Sequence, residues 1–138
     1  MPAAAALPLE PVFERYAAAW RTGDPSKIVA LHSEDSTFWM HMGGERVRGR
    51  AAIQKAFQDS FEQYPGFGFD VHRVLYGEKH WVLDWAMTVT MKSTSGKPVA
   101  LRIDMVDVVD VNDKGEVTRK DTFLDFVQAQ TQLSKLQD

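Results

Sequence analysis

The 138-residue sequence predicts an α+β fold, with helices packed on one face of a long antiparallel sheet. Two patterns carry that prediction. Residues 9–64 repeatedly place apolar side chains at helical spacing, whereas residues 67–126 alternate apolar and polar side chains between turn signals.

Leu9, Val12, Phe13, Tyr16, Ala17 and Trp20 share helical spacing, and Gly23 supplies a stop, so a first helix presents Tyr16 and Trp20 on one face. Asp24-Pro25 is an N-cap followed by proline at the first helical position, opening a short helix with Ile28, Val29 and Leu31. Thr37–Met42 reads as a strand ended by Gly43-Gly44. Ala51–Tyr64 is helical through Ile53, Phe57, Ser60 and Phe61 until Pro65-Gly66. Phe67–Tyr76 is a strand. In the next, Trp81, Leu83, Trp85, Met87, Val89 and Met91 alternate with more polar residues, and Thr94–Lys97 turns the chain into Val99–Val111. Asn112–Gly115 is a further turn and Val117–Phe126 the last strand. Residues 1–8 are expected to be a loose leader, 9–127 a single domain, and 128–138 a polar tail able to form a helix.

The net charge of −3, with acids and bases interspersed, argues against a nucleic-acid or anionic-membrane surface and favours an apolar small-molecule partner. With no cysteine, disulfides, thiolate metal sites and a Cys nucleophile are excluded, and the cytosol is the expected compartment. No stretch approaches the roughly 20 apolar residues of a membrane span. Asp110, Asn112, Gly115 and Asp121 mimic part of a calcium loop, but Lys114 stands where an oxygen ligand is needed. No other metal spacing and no phosphate-binding loop is present, so neither metal nor cofactor is expected.

Asp107 is the residue that points to chemistry. Taking every second residue of Val99–Val111 gives Val99, Leu101, Ile103, Met105, Asp107, Val109 and Val111, a single carboxyl on the face assigned to the interior. Such a group is either paired or kept protonated, because burying an unpaired carboxylate is costly. Lys120 shares parity with Thr122 and Leu124 on the last strand. It either pairs with Asp107, leaving that carboxylate charged and structural, or lies at a rim with its amine in water.

Several phrases in order resemble the nuclear-transport-factor-two-like superfamily, which includes SnoaL-like polyketide cyclases and ketosteroid isomerases. They are Phe13–Tyr16, Gly23–Pro25 with Ile28–Leu31, Glu34–Thr37, Val47–Ile53, Asn112–Val117 and Phe123–Asp125, and the resemblance covers about residues 9–127. It implies a cone-shaped barrel, a strongly curved, mainly antiparallel sheet wrapped around the N-terminal helices and a third helix. It also implies a homodimer formed through the outer sheet face, where Asp84, Arg102 and Asp104 form a charge ladder. In the isomerases a Tyr and a protonated Asp hold an enolate oxygen while a second Asp shuttles the proton. Tyr16 and Asp107 fall at the first two positions, so the resemblance implies that they are catalytic. The shuttle position is occupied by Met40 and a supporting Tyr position by Phe57, and general-base catalysis typically contributes about 10²–10⁴-fold.

Two histidines are candidate replacement bases. His41 has outward parity unless Gly43-Gly44 re-aims it through a bulge, and His32 stands at the end of the second helix. His72 and His80 read as surface positions. Trp20, Phe38, Met40, Phe57, Phe61, Trp81, Trp85, Met87, Met105, Val109 and Lys120 are expected to line a pocket for a polycyclic carbonyl compound. The expected activity is isomerisation, cyclisation or dehydration through an enolate. The alternatives are a non-catalytic binding or dimerisation module and a limonene-epoxide-hydrolase-like hydrolase, whose matching strand positions are Ala86, Thr88 and Thr122.

Overall fold

The computed structural model describes residues 7–138; residues 1–6 of the expected leader lie outside the described residues. The helices are α1 (Leu9–Arg21), α2 (Pro25–Val29), α3 (Arg50–Gln63) and α4 (Phe126–Ser134), and the strands are β1 (His32–His41), β2 (Val47–Arg48), β3 (Gly68–Tyr76), β4 (His80–Lys92), β5 (Pro98–Val111) and β6 (Val117–Leu124). The six strands form one curved, open sheet in the order β2-β1-β6-β5-β4-β3. All pairings are antiparallel except β1 with β6, which is parallel, so the sheet is mixed and does not close into a barrel.

α1 forms because its apolar stripe is buried, with Leu9, Val12, Phe13, Tyr16 and Ala19 all facing the core. Asp24 caps α2, its Oδ1 accepting from the Ser26 N–H at 2.9 Å, and Pro25 pre-sets the first turn. Gly49 precedes α3 with φ 90° and ψ 151°, a conformation that is essentially glycine-only, and its N–H donates to the Ser36 carbonyl at 2.9 Å. That bond ties the start of α3 to β1. Ile53 and Phe57 then enter the core with no exposed surface.

β1 begins five residues earlier than the apolar pattern predicts, at His32 instead of Thr37. The polar stretch His32–Ser36 has no strand signature of its own. It is extended because β6 pairs with it, with His32 opposite Val117 and a register shift before Thr37. His32 is therefore the first residue of a strand and not the end of α2.

The last strand stops at Leu124, two residues short of expectation, because Asp125 caps α4 by accepting from the Gln128 N–H at 3.0 Å. α4 then covers the part of β5 that extends past β6. The Asp104 N–H donates to Gln128 Oε1 at 2.7 Å and the Arg102 N–H to Gln132 Oε1 at 3.1 Å. Strand amides left without a partner strand are thus satisfied by helix side chains. On the outer face, Arg73 pairs with Asp84 at 3.0 Å and Arg102 with Asp70 at 2.7 Å. Among the described residues no helix is long and apolar enough to cross a membrane.

Candidate functional site

Strand register brings the chemistry together. One row across the sheet runs Met40, Thr122, Asp107, Leu83; the next runs Phe38, Lys120, Val109, Trp81. Side chains of both rows point toward α1, and between them lies a cavity of about 90 Å³. Tyr16, Trp20, Phe38, Met40 and Trp81 line it, as do Trp85, Met87, Met105, Asp107 and Lys120.

Five other candidates do not line it. Phe57 lies one layer behind, its ring 4.6 Å from Trp20 and 5.0 Å from Phe38 between centroids. Phe61 packs against Trp20 and Phe67, and Val109 is fully buried in the sheet. His41 faces the other side of the sheet, stacked between Trp39 and Phe123 at 4.0 Å from each, so the outward parity of β1 is retained and no bulge re-aims it. His32 is fully buried behind Tyr16.

The cavity's polar end is the pair of Asp107 and Lys120, 3 % and 5 % exposed. Lys120 Nζ donates to Asp107 Oδ2 at 2.7 Å, and the Thr122 hydroxyl donates to Oδ1 at 2.8 Å. Both oxygens accept, which is the arrangement of an ionised carboxylate and not of a protonated acid offering a hydrogen bond. Of the two arrangements the sequence leaves open, this geometry matches the one in which Lys120 pairs with Asp107. The donor here is Lys120. An ammonium carries three N–H groups; this one has Asp107 as its hydrogen-bond partner, and its remaining surroundings include the ring faces of Trp20 at 5.2 Å and Tyr16 at 5.7 Å.

Tyr16 and His32 form a second buried polar unit. Their Oη and Nε2 are 2.8 Å apart, and His32 Nδ1 lies 3.2 Å from the Ser36 hydroxyl. Burial, helped by the Lys120 and Arg50 charges, lowers the His32 pKa to about 3, so the imidazole is neutral and carries one donor and one acceptor. When Nε2 carries the proton it donates to Tyr16, leaving the Tyr16 O–H to be donated elsewhere. Burial also pushes the Tyr16 phenol well above its ordinary range, against the opposing effect of the neighbouring Trp20 indole and with the Asp107 charge adding to it. Tyr16 is therefore a neutral donor and not a phenolate. Arg50 locks the unit, donating from Nε and a terminal nitrogen to the His32 carbonyl at 2.9 and 2.8 Å.

The indole N–H groups of Trp20 and Trp85, two of the lining residues, are buried without a hydrogen-bond partner. Asp107 is the only carboxylate among the described residues that line the cavity, and no imidazole lines it. The site is therefore rich in donors and poor in acceptors, suited to an oxygen that accepts hydrogen bonds. At about 90 Å³ it is well below the ~300–1,000 Å³ of pockets that hold drug-sized molecules.

Sequence reasoning missed Tyr64, Phe67 and Phe69, which line the cavity's outer part beside Arg21. Phe69 had a readable signal, its strand parity. Tyr64 and Phe67 flank the Pro65-Gly66 turn, where periodicity says nothing about direction.

A family model described as a SnoaL-like domain matches residues 13–120. No curated protein was found to match. Among solved structures, the chain is similar to a proposed SnoaL-like polyketide cyclase from Shewanella putrefaciens CN-32 (TM-score 0.78, 14% identity, 98% of this chain and 99% of that one). It is similar too to a protein with a ketosteroid isomerase-like fold from Catenulispora acidiphila DSM 44928, solved with trimethylamine (TM-score 0.75, 16% identity, 89% and 92%). A third is SalBIII, an epoxide hydrolase/cyclase-like enzyme with a role in pyran ring formation in the polyether salinomycin (TM-score 0.73, 19% identity, 86% and 92%). At these identities the likeness is one of fold.

Proposed function

The chain belongs to the SnoaL-like domain family, and from that premise we propose that it is a small-molecule enzyme that polarises a carbonyl oxygen and stabilises the enolate formed from it. The observation that carries this reading is Lys120, a buried ammonium at the end of an apolar cavity, with one hydrogen-bond partner for three N–H groups. In a water-poor site such a donor is worth far more to a developing oxyanion than in water. Lys120 and Tyr16 supply the hydrogen bonds, and Asp107 holds the Lys120 amine in place.

Met40 and Asp107 define the limits of the chemistry. Met40 moves no proton, and Asp107, already accepting from Lys120 and Thr122, is a poor base. The substrate must therefore lose its proton easily, as a carbon between two carbonyl groups does, with the base supplied by the substrate or by water. Cyclisation or isomerisation of a β-dicarbonyl compound fits these terms. The same two residues favour the second reading, a binding module that holds a carbonyl compound without transforming it. The epoxide-hydrolase reading has less support, since the one carboxylate on the cavity is engaged with Lys120.

The test is an intrinsic fluorescence titration with small phenols of increasing acidity, because Trp20, Trp81 and Trp85 all line the cavity. Saturable quenching that tightens with phenol acidity, and is lost in the Lys120→Met/Asp107→Leu double variant, supports oxyanion binding at Lys120. Equal affinity in the double variant would overturn it. Turnover of β-dicarbonyl compounds then separates enzyme from binding module.

The family resemblance also supports pairing of two copies through the outer sheet face. There Phe123 and Val106 are exposed side by side, and buried His41 Nε2 and Asp121 Oδ1 have no hydrogen-bond partner.

A further inference from the structure

A second, larger chamber of about 340 Å³ lies between α3, the β1–β2 turn and the inner ends of β5 and β6. It shares a wall with the cavity at Lys120: Phe38, Met40, Ser60, Tyr64 and Met105 line both. Two of those five are methionines, unbranched side chains with three rotatable bonds that repack at low cost. The inner lining of the second chamber is apolar, through Ile103, Leu124 and Ala129. Its polar residues include two carboxylates, Glu45 on the β1–β2 turn and Asp59 on α3.

We propose that the two chambers are one channel, divided by the Met40 and Met105 side chains, that takes an extended carbonyl compound with its oxygen at Lys120 and its apolar body in the second chamber. This rests on the carbonyl-binding reading above and adds the shape of the substrate to it. The small cavity receives the carbonyl end alone, while the second chamber by itself reaches the size range of ligand pockets, roughly 300–1,000 Å³. Glu45 and Asp59 repel a negatively charged far end, so the body ends in an uncharged or cationic group. Met40 acquires a role by this arrangement. It stands beside Thr122, which is opposite Asp107, and its movement connects the carbonyl end to the body.

Met42 reports on the second chamber alone, because it lines that chamber and not the first, whereas Met40 and Met105 also face the carbonyl end. The experiment is a titration of methyl-labelled methionine protein with straight-chain methyl ketones from 2-butanone to 2-decanone, followed by NMR. The expected result is that short ketones shift Met40 and Met105 but not Met42, whereas long ones shift all three. Affinity rises about fourfold per added methylene once the chain passes Met40. Ala56→Phe, which fills the second chamber only, should remove that rise and leave the short ketones unaffected.

Long ketones that shift Met40 and Met105 but never Met42, or affinities that stay flat with length, overturn the channel and leave the carbonyl site standing. If no ketone shifts Met40 or Met105, or if the Lys120→Met/Asp107→Leu variant binds every ketone as well as the parent, the carbonyl site itself fails and the channel with it.

Discussion

Lys120 reaches Asp107 diagonally across the sheet. The residue opposite Asp107 is Thr122 and the one opposite Lys120 is Val109, yet Lys120 Nζ lies 2.7 Å from Asp107 Oδ2. A diagonal ion pair of this kind needs a long side chain on one strand and a short one on the other. It also sets the lysine's amine beside the cavity.

Removing one member of this pair should cost far more than removing both. Lys120→Met leaves a buried carboxylate without its counter-ion, and a loss of about 3–5 kcal/mol is expected. The double change to Met and Leu replaces the pair with apolar volume and should recover most of that loss. Urea denaturation of the two variants and the parent measures both quantities. Equal losses in the single and double variants would show that the pair is not what the lysine satisfies.

His32 should make the protein acid-sensitive. Its folded pKa of about 3 lies below the ordinary value of 6.5, so the unfolded chain binds a proton that the folded one refuses. The stabilising contribution is complete above pH 6.5 and falls as the pH drops from there toward 3, by at most about 1.4 kcal/mol per pH unit. His32→Gln lacks this titration. Denaturation midpoints at pH 7, 6, 5 and 4 should therefore fall more steeply in the parent than in the variant; parallel profiles would contradict a buried neutral imidazole.

Gly49 should not tolerate a side chain. At φ 90° and ψ 151° it occupies a conformation reserved for glycine, and strain of about 1–3 kcal/mol is expected for Gly49→Ala. Space is not the cause, since the nearest atom to an added Cβ is the Glu34 carbonyl oxygen at 3.9 Å. A thermal shift of the variant near zero would argue that the backbone relaxes.

Phe123→Glu tests pairing through the outer face. Phe123 is 41 % exposed and stacks on His41, on the face of the sheet opposite the cavity. Sedimentation should give a dimer for the parent and a monomer for the variant, with phenol binding retained. A monomeric parent at every concentration would leave the face without a partner copy.

Much of the fold was legible because its signals are local. Helical spacing in α1 placed Tyr16 and Trp20 on one face, and alternation in β5 put Asp107 inside and in β1 put His41 outside. The largest miss has a long-range cause. His32–Ser36 is polar and became strand only by pairing with β6, a segment more than eighty residues away along the chain. The helix allowed for in residues 128–138 is present as α4, and only its start, capped by Asp125, falls in what alternation reads as strand.

The sequence by itself determined the α+β class, the family phrases and which side of each long strand faces the core, because those properties follow from periodicities of 3.6 and 2 within single elements. Only the tertiary structure decided that Lys120 meets Asp107, that His32 backs Tyr16, and that the cavity is small with a larger chamber beyond Met40. Contacts between strands depend on register, and register is set by packing and hydrogen bonding among segments distant in sequence. Alternation could place Asp107 and Lys120 on the same face. The pairing of β5 with β6 determined that one became the other's counter-ion.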